Sequence, residues 1–148
     1  MNPAFCGEVI RNTIREYEMR ESKGLPFTLV FFILPLILHH DTFKEIRANT
    51  PLKFFSWLNS RVSQTKDIEQ RINNLKNTTT DAILFLLVFN TIKIHEGRLH
   101  TVDFDLSIKS REYNPYMRDY QNKAIQIGKW FSETGSISTI YSLLGVKP

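Results

Sequence analysis

The sequence predicts a mainly α-helical fold with one small β-hairpin, arranged as a single winged-helix-like domain over residues 1–148. Apolar residues recur at helical spacing along most of the chain, and the clearest strand-like alternation comes after several of these helices. A hairpin that follows consecutive helices suggests the wing of a winged-helix module. No repeat, low-complexity tract or long linker divides the 148 residues, a length that suits one domain.

The first helix is predicted from its capping signals. Asn2 can cap it, Pro3 suits the first helical position, and apolar residues then recur every three or four residues up to Tyr17. The sequence "SKG" at residues 22–24 should end this helix.

The run "GLPFTLVFFILPLILHH" at residues 24–40 is the densest apolar stretch of the chain. Pro26 fits the start of a helix, and Pro35 predicts a kink about one turn before its end. A membrane-spanning helix needs about 20 apolar residues, whereas this run is shorter and has charged residues on both sides. We therefore expect a core helix, partly available to partners, in a soluble and cytoplasmic protein.

The middle of the chain predicts four further helices. Thr42 and Glu45 indicate a short one to Ala48, another begins at Thr50–Pro51, and an amphipathic one covers residues 68–75. Residues 82–89 are all apolar, so a central strand is possible, but the cap and the Ala and Leu content favour a fourth helix that is buried on all sides. Thr79 or Thr80 is its expected N-cap.

The stretch "TIKIHEGRLHTVDFD" predicts a hairpin over about residues 91–104, because Ile92 and Ile94 alternate with polar residues and Glu96–Gly97 can form the turn. The outer face of a DNA-contacting wing would touch phosphates. An ordinary solvated face is the alternative, because the patch is small and the net charge of +4 is spread along the chain. The candidate contacts to the DNA backbone are Lys93, His95, Arg98 and His100.

Two helices are expected over about residues 114–144. The first presents an apolar seam from Met117 to Phe131, and the second is capped by Ser136 and ended by Gly145. The second helix has about two turns, too few to be stable alone, so it should dock on the seam. The docking face consists of Ile137, Ile140, Tyr141 and Leu144.

The sequence offers little for catalysis or for metal binding. Cys6 lies on the apolar side of the first helix, which favours an inert thiol. The adjacent pair His39 and His40 has no third metal ligand nearby in the sequence, and His95 and His100 lack one as well. No glycine-rich phosphate loop is present. We expect a protein that is not an enzyme and has no catalytic residue, cofactor or metal.

Three blocks resemble one known family, the middle component of three-component ABC-ATPase systems, including the small subunit of Lamassu-type antiphage defence. The blocks are "NPAFCGEVI", "GLPFTLVFFILPLILHH" and "GKWFSETGSISTIYSLLGVKP", together 47 of the 148 residues. Family members often end in LGVRP, whereas Lys147 replaces the arginine here. This change weakens any contact that depends on a bidentate guanidinium.

The resemblance implies a role rather than a reaction. It implies an accessory subunit that bridges an SMC-like coiled-coil ATPase and an effector, commonly a nuclease, with DNA contacted indirectly through the complex. The matching tail and the dense apolar run then become candidates for partner binding. These candidates are Leu143, Gly145, Val146, Lys147, Pro148, Phe31 and Phe32.

Two other classes of function remain open. A free-standing winged-helix DNA-binding protein would need an exposed polar recognition helix, and residues 66–76 could supply one with Lys66, Arg71 and Lys76. An enzyme is the other rival, although the catalytic constellations described above are missing.

Overall fold

The structure is a computed structural model that describes residues 2–60, 66–104 and 115–147. Its elements confirm a mainly α-helical fold with a small hairpin. The helices in the described residues are α1 (Pro3–Glu21), α2 (Ile33–Ile37), α3 (His40–Glu45), α4 (Phe54–Ser60), α5 (Ile68–Val88), α6 (Pro115–Thr134) and α7 (Ile137–Leu144). A 3-10 helix covers Phe27–Phe32, and the strands are β1 (Leu25–Pro26), β2 (Ile92–His95) and β3 (Arg98–Thr101).

Helix α1 is the centre of the fold, because both α5 and α6 pack along it. Its predicted cap is confirmed, since the Asn2 side chain accepts a hydrogen bond from the amide of Ala4 at 2.8 Å. Burial extends beyond the apolar stripe to Arg11 and Thr13. Thr13 donates to the Ala124 carbonyl of α6 at 2.8 Å, so the buried hydroxyl is satisfied across the helix pair.

The segment 24–40 is buried as predicted, but its conformation differs from the single kinked helix. Residues 25–26 form β1, which pairs antiparallel with β3 through Leu25↔Leu99. This strand pairing depends partly on Gly24, because a Cβ at this position would come within 2.6 Å of the Leu99 carbonyl oxygen. Pro26 suits an outer strand, because it lacks the amide that a central strand must donate. A 3-10 helix and the short α2 then complete the segment.

Residues 68–88 form one helix rather than two, so the predicted N-cap at Thr79 or Thr80 is wrong. Thr79 is buried inside α5, and the Thr80 hydroxyl donates to the Lys76 carbonyl at 2.9 Å within the helix. A threonine that bonds one turn back is compatible with a continuous helix.

The predicted hairpin is confirmed with its turn. Ile94 pairs with Leu99 and His95 with Arg98, and positive φ values of 51° at Glu96 and 72° at Gly97 identify a two-residue turn. The third strand, β1, was not predicted; it makes a sheet in the order β1-β3-β2.

The C-terminal helices also form as expected, with a wider docking surface for α7. The Ser136 hydroxyl accepts from the Thr139 amide at 3.2 Å, which confirms the cap. Helix α7 packs on α6 and also on α4. Ile140 and Leu144 are buried, whereas Ile137 is exposed, contrary to its predicted place in the docking face.

Candidate protein-binding surfaces

A groove of about 420 Å³ lies where α4, the end of α6 and α7 meet. It is open to solvent along one side and mainly apolar. Large apolar side chains are also exposed on these elements and just before α4, namely Leu52, Phe55 and Ile137. The groove is lined by Lys53, Phe54, Phe55, Glu133, Thr134, Thr139 and Leu143.

Helical spacing explains why α4 presents an aromatic ring to this groove. Phe54, Trp57 and Leu58 share one face of α4 and are buried. Phe55 is one residue off that face, and 57% of it is exposed. The Phe54 ring stacks on Trp130 at 5.3 Å between ring centroids, which fixes the orientation of the helix.

The walls of the groove are held by polar contacts to α6. The Lys53 ammonium lies 3.2 Å from the Glu133 carboxylate. Just before α4, the Trp130 indole donates to the Leu52 carbonyl at 2.9 Å, and the Lys129 ammonium lies 3.5 Å from the Thr50 carbonyl. The segment that leads into α4 is therefore attached to α6 before any partner binds.

Of the C-terminal residues predicted to bind a partner, one lies in the groove and the others lie in the tail. Leu143 is half-buried and lines the groove. Gly145 has φ 69° and ends α7, and the Val146 amide donates to the Tyr141 carbonyl at 3.0 Å. Val146 is half-buried and Lys147 is exposed. Pro148 lies outside the described residues.

Of the two predicted candidates in the apolar run, one belongs to the core. Phe32 is 1% exposed, and its ring meets Tyr141 edge to face at 5.0 Å, so it supports α7 from within. The assignment of Phe32 to partner binding stays a prediction, although the side chain is buried in the core. Phe31 is half-buried, and its ring packs against Phe27 at 5.6 Å.

The predicted DNA-facing side chains share one face of the hairpin, but two of the four are engaged within the protein. Arg98 donates to the Gly24 carbonyl at 2.8 Å, and the His100 ring lies 3.6 Å from the Glu18 carboxylate. Lys93 and His95 are exposed, and the His95 ring lies 3.6 Å from the Glu96 carboxylate. A face on which Lys93 is the exposed cation offers few phosphate contacts.

In the alternative interpretation as a DNA-binding protein, residues 66–76 would form the recognition helix, but one of its three cationic side chains is buried. Arg71 is buried, and it contacts Asp67 at 2.7 Å and the Thr42 hydroxyl at 2.8 Å. Asp67 is the N-cap residue of α5, so the bond to Thr42 is the one of these two that joins α5 to α3. Lys66 and Lys76 are exposed.

The end of α5 exposes apolar side chains that the sequence placed in the core. Ala82, Ile83 and Leu86 are buried as predicted for residues 82–89. Leu84 and Phe89 are exposed, as is Val88 at 74%. In β2, Ile94 is also exposed, at 48%. The prediction of burial on all sides is therefore wrong, because only one face of this turn of helix packs on α1 and α2.

Reactive groups are scarce in the described part of the chain. Burial raises the pKa of the Cys6 thiol, which keeps it protonated and poorly nucleophilic. Within residues 2–60, 66–104 and 115–147, His, Cys, Asp and Glu form no group of three that could hold a metal ion. No helix in these ranges is both long enough and apolar enough to cross a membrane.

A family model described as "ABC-three component (ABC-3C) system Middle Component 3" matches residues 1–148. The chain belongs to this family. The resemblance predicted from the three sequence blocks is thus confirmed for a middle component of an ABC three-component system. Comparisons with curated proteins and with solved structures gave no match.

The sequence patterns did not predict that several apolar residues of this middle component are exposed. A helical wheel of α4 would have found Phe55, because it falls outside the stripe formed by Phe54, Trp57 and Leu58. No comparable signal marks Leu84 and Val88, which stand in an unbroken apolar run. Their exposure depends on how many neighbours α5 has, and that is a tertiary property.

Proposed function

We propose that this middle component is a non-catalytic accessory subunit that bridges the ABC ATPase and the effector of its system. The ATPase binds the groove formed by α4, α6 and α7, together with the C-terminal tail. The observation that carries this proposal is the family match over residues 1–148, combined with an apolar groove that exposes Phe55 among its lining residues.

The groove has the features of a protein-binding site. Interface centres are enriched in aromatic residues, and their rims are polar. Here Phe55 and Leu143 supply apolar surface, while Lys53 and Glu133 supply charges at the same groove. The buried Phe54 ring stacks on Trp130 at 5.3 Å, which holds α4 against α6, so the groove is preorganised.

The finer features of the proposal come from the resemblance of the three sequence blocks. The ATPase is SMC-like and carries coiled coils, the effector is a nuclease, and the system acts in the cytoplasm as Lamassu-type antiphage defence. DNA is contacted through the complex. The sheet order β1-β3-β2, with a hairpin after the helices, supports a winged-helix relationship.

The proposal also predicts what the isolated subunit does not do. The buried Cys6 thiol has a raised pKa, and the described residues bring no metal-binding group together. The purified chain should neither hydrolyse ATP nor cut DNA. Activity that co-purifies with the chain and is lost on substitution of one of its residues would overturn the non-catalytic assignment.

Reconstitution from the three purified components tests the bridging role. The ATPase and the effector are mixed with and without this subunit, and complex masses are measured by light scattering after size-exclusion chromatography. The proposal predicts that the ATPase and the effector form one complex only when the subunit is present. A stable complex of those two without it, or no binding of this subunit to the ATPase, would contradict the proposal.

A further inference from the structure

Strand β2 is an outer strand of the sheet in the described part of the chain. The two-residue turn makes His95 and Arg98 a hydrogen-bonded pair, and such pairs alternate along an antiparallel ladder. The bond from the Val102 amide to the Thr91 carbonyl, 2.9 Å, continues this alternation. The amides and carbonyls of Ile92 and Ile94 therefore point away from β3, along the outer edge.

The end of the ladder farthest from the turn is held by side chains of α1. Arg11, itself 1% exposed, donates to the carbonyls of Thr91 at 3.1 Å and Val102 at 2.6 Å. Glu18 accepts from the Thr101 amide at 2.7 Å. The start of β2 and the end of β3 are thus fixed to the central helix, so a strand that joins β2 meets a preformed template.

The side chains around the edge define the chemistry of a joining strand. Ile94 is exposed on one face of β2, and Leu84, Val88 and Phe89 are exposed at the end of the helix that leads into it. On the other face, Lys93 is exposed and forms no ion pair with the described residues, whereas the exposed His95 ring lies 3.6 Å from the Glu96 carboxylate. A complementary strand is apolar on the first face and acidic on the second.

The charge of Lys93 disfavours a second copy of this chain as the occupant. Symmetric antiparallel pairing of two β2 edges sets Ile92 opposite Ile94 of the other copy, in both directions, only in the register centred on Lys93. That register also sets Lys93 opposite Lys93 of the other copy. Like charges directly opposite each other destabilise a strand pair. A heterologous strand with an acidic residue at that position meets no such repulsion.

We infer that β2 accepts an extended segment of the effector component, with alternating apolar and acidic residues, as a fourth strand. Backbone hydrogen bonds from Ile92 and Ile94 hold the segment, and Lys93 pairs with its acidic side chain. This inference rests on the proposed bridging role, because α4, α6 and α7 are assigned to the ATPase. The two surfaces lie on different elements of the fold.

The test compares two substitutions at one position in the complex reconstituted from the three components. Ile94→Pro removes the outward amide, and an outer strand tolerates proline there. Ile94→Thr keeps the amide and the β-branched shape. We expect Ile94→Pro to weaken effector binding about tenfold or more through the lost backbone bonds, and Ile94→Thr to change it by less than about threefold. Binding of the ATPase should not change with either substitution.

Two further measurements keep the test decisive if Ile94→Pro does not fold. In the wild-type chain, amide exchange at Ile92 and Ile94 should slow on effector binding, whereas Lys93 and His95 are already protected by β3. Lys93→Glu should weaken effector binding, and Lys93→Gln should have a smaller effect.

Several outcomes would overturn the inference. These are unchanged exchange at Ile92 and Ile94 in the complex, equal effects of the two Ile94 substitutions, and a homodimer that Lys93→Glu abolishes. If Lys93→Glu reduces DNA binding of the assembled complex while effector binding is intact, the edge faces DNA and the inference is wrong. Failure of the subunit to bind the ATPase would instead count against the proposed function.

Discussion

Adjacent phenylalanines on α4 should respond very differently to truncation. Phe54 is 1% exposed, and its ring contacts the rings of Trp57, Trp130 and Phe131 at 5.3–6.1 Å. Phe54→Ala would leave a cavity among these rings, and such changes cost about 3–5 kcal/mol. For a domain of this size the melting temperature should fall by roughly 10 °C.

Phe55→Ala is the matched comparison, because the same side chain is removed one residue further along the helix. Phe55 is 57% exposed, so the free energy of unfolding should change by about 1 kcal/mol or less. Urea denaturation of both variants followed by circular dichroism measures the difference. Equal destabilisation by the two substitutions, or a larger effect of Phe55→Ala, would refute the assigned orientation of α4 and with it the groove.

Three further predictions concern the hairpin, acid stability and the tail. Arg11→Met should lower the free energy of unfolding by about 2–3 kcal/mol, because it leaves the Val102 carbonyl without a charged donor, and it should speed amide exchange in the hairpin. The Arg71 guanidinium beside Asp67 lowers the pKa of that carboxyl, so this contact stabilises the fold near neutral pH and the stabilisation is lost as the pH falls through the lowered value. Asp67→Asn should therefore destabilise the protein near pH 7, and the difference in unfolding free energy from the wild type should shrink below about pH 4. Deletion of residues 145–148 should change the free energy of unfolding by no more than about 1 kcal/mol, because Gly145 and Lys147 are exposed and Val146 is half-buried, and it should weaken binding to the ATPase in a pull-down.

The helical part of this fold could be predicted where local signals are strong. Asn2 and Ser136 cap their helices as the sequence indicates, and Glu96–Gly97 forms the expected turn. These features depend on backbone groups within a few residues, which is why a local pattern is sufficient.

The errors fall where distant residues decide the conformation. Leu25–Pro26 forms a strand because β3, more than seventy residues later, offers its edge and Gly24 permits the close approach. Burial of Phe32 and exposure of Val88 likewise depend on which helices meet, and α1 is the helix that brings them together. Helical periodicity identifies an apolar face but does not state whether a neighbour covers it.

The decisive measurement for the assignment of the groove is the affinity of this subunit for the ATPase component. Phe55→Asp introduces a charge at the groove, and Met19→Asp introduces the same charge at another exposed apolar residue, 63% exposed on α1. Dissociation constants are measured by calorimetry for the wild type and both variants. We expect Phe55→Asp to lower the affinity about tenfold or more, because aromatic residues at the centre of an interface contribute much of its binding energy. Met19→Asp should leave the affinity near that of the wild type. Unchanged affinity for Phe55→Asp, or equal loss for both variants, would contradict the assignment of the groove to the ATPase.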